Sequence, residues 1–371
     1  MKRVSICAIF IVLCNLSFSA NAAVAPKPLK QLAEVDPSAT GLVSSKDQLL
    51  VYGNHEKSGF TQFVNGAPIE LNCGVESFVS AATADSQGNF YLVGAASNPV
   101  VGTLPPITGI LNPDNVVPDP VSSNKSDAST LCYWKLDATG KIIDSNTIAM
   151  PSAIIPNSVL VDKYGITIAG AIYANPGFSG FVMNLDSKLT TLGKNSTQVF
   201  SLVRAADGST IAIGQSSEKL LDKNLKGLSD GFLAKISNGK LVSVQRSSDF
   251  KSNRAWRSAT NNLLLGGFSN SSAVITKFAL NFNPIWTTRF PAIGSALTAV
   301  SGKVSYGAFV SNGPIKAIPT WKRKNSILIL AFDAKGAIID ANYLNSSNIN
   351  GFAANSTYGA ILLSGGFLYR A

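Results

Sequence analysis

A short pattern recurs seven times along this chain: an apolar or small-residue run, a tight polar turn, then a second apolar run ending in glycine. It reads LVSSKDQLLVYG at 42–53, VSAATADSQGNFYLVG at 79–94, SVLVDKYGITIAG at 158–170, SLVRAADGSTIAIG at 201–214, SATNNLLLGG at 258–267, LTAVSGKVSYG at 297–307 and FAANSTYGAILLSG at 352–365. Such periodicity outranks any local motif, because a unit of this size cannot bury its apolar face alone and must pack on its neighbours. Helix-period patterning is nearly absent, and runs rich in Val, Ile, Leu, Tyr and Phe alternate with Gly, Asn, Asp and Ser turns. The chain is expected to be all-β.

A second hairpin follows the first in six units, as in LCYWKLDATGKII at 131–143, GFLAKISNGKLV at 231–242 and ILILAFDAKGAII at 327–339. Each unit is then four short antiparallel strands, A to D. The glycines taken to close strand B fall at 53, 94, 170, 214, 267, 307 and 365. Most spacings between them are about 40 to 50 residues, which predicts a seven-bladed β-propeller. One longer spacing is explained by a Pro-rich insertion at about 98–127. The last unit has residues for strand C in Phe367 to Ala371 but none for strand D, while Leu29 to Asp36 stands unmatched at the other end. That segment is expected to supply the missing strand and close the ring, so that neither end exposes an unpaired edge. An open array or two sandwiches leave both ends unexplained.

The units carry D-x-x-G-N at the first turn and G-F-h-h-K-h-D-x-x-G after it, best seen in Asp85-Ser86-Gln87-Gly88-Asn89, in Gly231-Phe232 with Lys235, and in Lys135-Leu136-Asp137 with Gly140. In these the chain resembles the bacterial exported beta-propeller repeat family. It is similar also to the pyrroloquinoline quinone enzyme repeat at LDATGKII and FDAKGAII. Units five and six depart from the pattern, lacking the Asp of the first turn. The resemblance implies a propeller and no single activity.

Lys2 and Arg3, the apolar stretch Val4 to Phe18, and Ala20-Asn21-Ala22 have the form of a secretory signal peptide cleaved after Ala22. A retained anchor is the competing reading, although the stretch is shorter than the roughly 20 residues a span needs. Residues 23–371 are expected to form a single domain, without a transmembrane segment, that is secreted, periplasmic or displayed at the cell surface. Cys73 and Cys132 remain after cleavage. A pair in an exported chain reads as a disulfide, with two separate buried thiols as the alternative. The formal net charge of +10, reduced to +8 by losing Lys2 and Arg3, favours anionic partners.

In a four-stranded unit the A-B and C-D turns emerge at one end and the B-C and D-A connections at the other. The first set is tight, so every long loop falls on the opposite face, where rigid scaffolds place function. There Lys251, Arg254, Trp256 and Arg257 lead into the fifth unit, and Lys316, Trp321, Lys322, Arg323 and Lys324 lie in the sixth. A basic, aromatic-bearing sector suits an anionic ligand, by stacking and charge pairing. The alternative is a solvated loop with the tryptophans folded back on the sheet.

Catalytic chemistry is not legible. The single histidine, His55, stands beside Glu56 with no nucleophile or metal-ligand pattern near it and reads as a surface-loop residue. Asp85, Asp137, Asp162, Asp186, Asp207 and Asp333 read as turn caps. Ala81, Ala82, Leu160, Leu202, Ala259 and Ala353, nearest the axis, point to a packed channel, with Arg204 as the exception. The leading reading is therefore a non-catalytic exported monomer, without cofactor or metal, that binds an anionic glycan, an envelope polymer or a protein through its long-loop face; nucleic acid is not favoured. The alternative is a propeller enzyme, a quinone-dependent dehydrogenase or a polysaccharide hydrolase or lyase.

Overall fold

The computed structural model describes residues 24–97, 128–185 and 189–371. The expected leader, the insertion at 98–127 and Asp186 lie outside them. The described residues form strands and no helix, so none is long and apolar enough to cross a membrane. The strands are β1 (Lys27–Pro28), β2 (Lys30–Glu34), β3 (Ala39–Ser45), β4 (Gln48–Asn54), β5 (Gly59–Phe63), β6 (Ile69–Leu71), β7 (Glu76–Ala84), β8 (Phe90–Ser97), β9 (Thr130–Leu136) and β10 (Ile142–Ala149). Next come β11 (Ile154–Asp162), β12 (Gly165–Ala174), β13 (Gly177–Asn184), β14 (Thr190–Leu192), β15 (Thr197–Arg204), β16 (Thr210–Ser216), β17 (Asp230–Ser237) and β18 (Lys240–Ser247). The rest are β19 (Arg254–Ala259), β20 (Leu264–Ser269), β21 (Ser272–Phe278), β22 (Pro284–Ser301), β23 (Val304–Asn312), β24 (Lys324–Phe332), β25 (Ile338–Leu344), β26 (Gly351–Asn355), β27 (Gly359–Ser364) and β28 (Phe367–Arg370).

Five sheets have four strands: β3 to β6, β7 to β10, β11 to β14, β15 to β18, and β26, β27, β28 with β2. A sixth has eight, in the order β1-β25-β24-β23-β22-β21-β20-β19. Its middle strand, β22, runs 18 residues. The first part pairs with β21 up to Pro291; the second pairs with β23, with a register break between Ile293 and Leu297. The innermost strands touch in chain order, β3, β7, β11, β15, β19, the end of β22 and β26, and β26 returns to β3.

The core is divided among the gaps between sheet units. Leu50 and Leu71 of the first unit meet Phe90, Leu92 and Trp134 of the second, and Leu160 and Val182 of the third meet Phe232 and Leu202 of the fourth. This is the arrangement the repeat demands, since each sheet is apolar on both faces and is satisfied only by neighbours on each side.

Five of the seven innermost strands share a β-bulge. Register shifts fall between Ala39 and Gly41, Val79 and Ala81, Pro156 and Ser158, Val199 and Ser201, and Trp256 and Ser258. The repeating glycine explains itself there. Gly53, Gly94, Gly170, Gly214 and Gly267 each pair with the residue just before the bulge, and a Cβ on any of them would collide with the carbonyl of Ser38, Phe78, Ile155, Gln198 or Ala255. These glycines do not close strand B, as the spacing suggested: in each case the strand runs on past them. Glycine here is a requirement of close backbone approach at a bulge.

The N-terminal segment closes the structure. β2 pairs antiparallel with β28, Lys30 opposite Arg370 and Glu34 opposite Phe367, at the outside of the last sheet. The pattern did not foretell β1, which adds parallel to β25, with the Leu29 N–H donating to the Tyr343 carbonyl at 2.8 Å. It covers an edge that would otherwise be open. Cys73, in the link from the first to the second unit, is disulfide-bonded to Cys132 of β9, with Cα atoms 6.2 Å apart.

Candidate binding face

On the turn face the aspartates act on their own backbone. Asp85 Oδ1 accepts the N–H groups of Gln87, Gly88 and Asn89 at 2.8, 2.9 and 2.9 Å, and Asp333 Oδ1 accepts those of Lys335 and Ala337 at 2.8 and 2.9 Å. Burial alone would raise the Asp85 carboxyl, but hydrogen bonds from Asn89, Tyr91 and Gln87 hold it below its ordinary value. Asp162 and Asp207 also hold cations: Arg204 Nε donates to Asp162 at 2.7 Å and Lys235 Nζ to Asp207 at 2.6 Å. Arg204 therefore ties the third unit to the fourth and does not enter the channel.

The channel differs from the expected packed interior. A cavity of about 650 Å³ opens among residues of all the innermost strands, including Ser44, Thr83, Leu160, Leu202, Asn262, Thr298 and Ala353. Small side chains leave the axis unfilled, and the described lining holds no ionisable side chain.

On the long-loop face the nine residues singled out from sequence separate into three kinds. Trp256 and Trp321 are core, at 0% and 2% exposure. Trp321 Nε1 donates to Ser311 Oγ at 2.8 Å, and Trp256 packs edge-on against Phe278. Neither presents a ring to solvent, which corrects the expectation of stacking platforms; apolar area wins when a loop can fold its indole onto the sheet beneath. Arg254 is buried and structural, its guanidinium 4.8 Å from the Trp256 ring centre and 3.4 Å from Asp249. Burial pushes its pKa down, opposed by the Asp249 charge. Asp249 also accepts from Arg289 at 2.9 Å and from Ser269.

The remaining cations are available. Lys251, Lys316, Lys322, Arg323 and Lys324 are exposed. Arg323 is oriented by Tyr343, whose ring centre lies 4.3 Å away, and by Asn345 at 2.6 Å. Arg257, the bulged residue of β19, is half-buried 3.8 Å from the Phe200 ring centre and 6.0 Å from that of Phe268, with no hydrogen bond or ion pair among the described residues. Burial lowers its pKa. What the sequence reading missed on this face is apolar: Leu221, Leu228 and Phe250 are exposed beside lysines. The available signal was a large apolar residue next to Lys inside a polar loop, as in Phe250-Lys251.

His55 lies at the same end and its partners are not Glu56. Nδ1 is 2.8 Å from Glu70 and Nε2 is 3.2 Å from Asp36, and the ring stacks on Phe60 with centres 4.3 Å apart. The hydrogen bond to Glu70 raises its pKa; burial opposes this and Asp36 adds to it. Both nitrogens face carboxylates, an arrangement that favours the protonated ring.

Radial four-stranded units around an axial cavity, with the core in the gaps between them, define a β-propeller. No protein-family model matches the sequence, and no curated protein matches it. Solved structures do resemble the fold. The WD40 domain of coronin from Toxoplasma gondii is 10% identical, with a TM-score of 0.51 over 94% of this chain and 87% of that one. U3-55K is 12% identical, with a TM-score of 0.53 over 91% and 92%. Virginiamycin B lyase from Staphylococcus aureus is 10% identical, with a TM-score of 0.50 over 92% and 99%. These likenesses speak for the fold alone.

Proposed function

We propose that this chain is an exported, non-catalytic propeller of the bacterial repeat type that binds an acidic envelope polymer or glycan through its long-loop face. The blade count in this reading is seven, with the eight-stranded sheet taken as two blades sharing β22. The closed series of innermost strands and the separate apolar cluster in each gap support that count. Export rests on the leader-like residues 1–22 and agrees with the Cys73–Cys132 bond.

One observation carries the binding reading. In the sector of units four to six the buried Asp230 and the half-buried Asp249 are engaged by Arg246, Arg254 and Arg289, while Lys316, Lys322 and Lys324 face solvent and Arg257 has no anion among the described residues. Exposed lysines of the sixth-unit loop, together with a half-buried guanidinium on the same face, suit carboxylate, sulfate or phosphate groups on a polymer. The neighbours in fold include both a lyase and a WD40 domain, so the fold does not choose; the described lining of the axial cavity, which has no ionisable side chain, favours binding over chemistry there.

The test is capture of acidic polysaccharide by the protein from residue 23 onward, compared with Lys316→Glu/Lys322→Glu/Lys324→Glu. Binding that falls at least about tenfold in the variant supports the reading. Equal capture by both proteins, or by neither, defeats it.

A further inference from the structure

The loop at 217–229 and the link at 248–253 meet where the fourth and fifth units adjoin. The Leu228 N–H donates to the Ser252 carbonyl at 2.8 Å and the Arg254 N–H to the Ser229 carbonyl at 3.0 Å. Both segments are anchored from beneath. The Glu218 carboxylate accepts the N–H groups of Lys194, Asn195 and Ser196 at 2.9, 3.1 and 2.9 Å and the Thr197 hydroxyl at 2.8 Å. Asp230 accepts the N–H groups of Lys226 and Gly227, each at 3.0 Å, and Leu220 is buried in the gap between units three and four.

From this fixed base three large apolar side chains stand in solvent: Phe250 at 81% exposure, Leu228 at 60% and Leu221 at 50%. Their exposure is not the result of a loose loop, since the same loop buries Leu220 beside Leu221. Leu221 and Lys251 hold positive φ angles of 54° and 53°, a conformation disfavoured for such residues and kept only where the surroundings impose it. Lys223, Lys226 and Lys251 are exposed among these tips, with Lys251 Nζ 5.3 Å from the Phe250 ring centre. Asp222 pairs with Lys223 at 3.0 Å, Asp230 and Asp249 pair with Arg246 and Arg254, and Lys226 and Lys251 outnumber the Glu218 carboxylate, leaving the patch positive.

We propose that these tips form a docking wedge for an anionic membrane surface. Phe250, Leu228 and Leu221 enter the boundary between head groups and acyl chains, and Lys223, Lys226 and Lys251 meet the phosphates, their stems lying along the apolar layer. A bilayer fits better than a protein because the exposed apolar side chains are few and each is flanked in sequence by lysine and other polar residues. A soft interface accepts them singly, whereas a protein partner needs a contiguous complementary patch. The inference rests on the long-loop face being the docking face, but on residues other than those of the sixth-unit loop.

The experiment is co-sedimentation with vesicles of phosphatidylcholine, alone or with about a quarter phosphatidylglycerol. All strands of the described residues lie between Lys27 and Arg370, so the protein is used from residue 23 onward, without the apolar leader. It is expected to sediment with the anionic vesicles only, and less as salt rises. Phe250→Ser/Leu228→Ser should weaken sedimentation about tenfold or more, as should Lys223→Gln/Lys226→Gln/Lys251→Gln, with melting temperatures unchanged. No sedimentation at low salt, or an apolar variant that sediments like the parent, overturns the wedge, as does loss of a soluble protein partner in that variant without vesicle binding. The Lys316→Glu/Lys322→Glu/Lys324→Glu protein should still bind vesicles. Vesicle binding without polysaccharide capture defeats the polymer reading and leaves the wedge standing; polysaccharide capture without vesicle binding does the reverse.

Discussion

The two ends of the strands are held by different physics. On the turn face the aspartates accept N–H groups two to four residues on, as Asp85 and Asp333 do, so the turns are held chiefly from within, with Asp162 and Asp207 each adding one cation from farther along the chain. On the long-loop face the anchors come from far away in sequence: Cys73 with Cys132, Asp230 with Arg246, Glu218 with residues 194–197, and Asp249 with Arg289. Self-contained turns can be copied from unit to unit. Private long-range anchors cannot, and once they satisfy the buried groups they leave the surface side chains free to differ. Repetition and function thus separate to opposite ends of one scaffold.

The sharpest way to break this contrast is at the buried pair. Arg246 and Asp230 are almost fully enclosed and 3.3 Å apart, and Arg246 also donates to the carbonyls of Ser216 and Glu218. Arg246→Met leaves a buried carboxylate without its cation and should cost about 3–5 kcal/mol in denaturant unfolding. Adding Asp230→Leu should restore only part of that, because Asp230 also holds two N–H groups of the loop. A loss under about 1 kcal/mol for the single variant would mean that the loop is not held from this pair. Next in size is the disulfide. Cys132→Ala/Cys73→Ser opens a link spanning 59 residues and should cost about 2–4 kcal/mol. Reductant should lower the melting temperature of the parent and not of the variant; mass spectrometry finding two free thiols in the native protein would remove the basis for this prediction.

Much of the architecture was legible because the repeat writes it in residue types. Turn aspartates, strand composition and the unmatched Leu29 to Asp36 led to the strand pairing and the closure by β2. The glycine was visible but misread, since its cause is the carbonyl of a bulge on the neighbouring strand, which no local pattern shows. The site was less legible. Basic loops were found and Arg254 was counted among their cations, but whether Trp256 and Trp321 stack on a ligand or fold back on the sheet stayed open, because a polar loop sequence does not reveal whether its indoles fold inward. Arg257 was found for its charge, while its isolation between Phe200 and Phe268 depends on one strand distant in sequence and on the fold of its own hairpin. Exposed Leu221, Leu228 and Phe250 look like core residues until burial is known.

The bulge glycine and the turn cap give smaller and more comparable effects. Gly94→Ala drives a methyl into the Phe78 carbonyl and should cost about 1–3 kcal/mol, while Ala95→Gly, one residue on in the same strand, should cost about 1 kcal/mol or less. Equal losses would mean that strand propensity, and not the bulge, governs the position. Asp85→Ala removes the acceptor of three N–H groups at an exposed turn and should cost about 1 kcal/mol, with Asp85→Asn recovering most of it. Hydrogen exchange should quicken in that turn alone. Exchange that quickens across the long-loop face as well would show that the two ends are coupled.

The smallest expected effect is a pH dependence confined to the long-loop end. His55 bridges Glu70 of β6 and Asp36, which lies between the closing strand β2 and β3. Its folded pKa is raised, chiefly by Glu70, so its contribution to stability is complete below the unfolded value of about 6.5 and disappears as pH rises through the higher folded value. The carboxylates behave oppositely. Glu70 is lowered by the Ser58 hydrogen bond and, against burial, by His55; Asp36 is lowered by Ser38 and His55 despite the opposing effect of burial. Their contributions are present above about pH 4.3 and are lost on acidification through the folded values. The bridge is therefore fully formed between about pH 4.3 and 6.5. The difference in melting temperature between the parent and His55→Gln should be largest near about pH 5.5 and should shrink on raising the pH to about 9. An unchanged difference across that range would show that stacking on Phe60, and not the charge on the imidazole, is what the residue contributes.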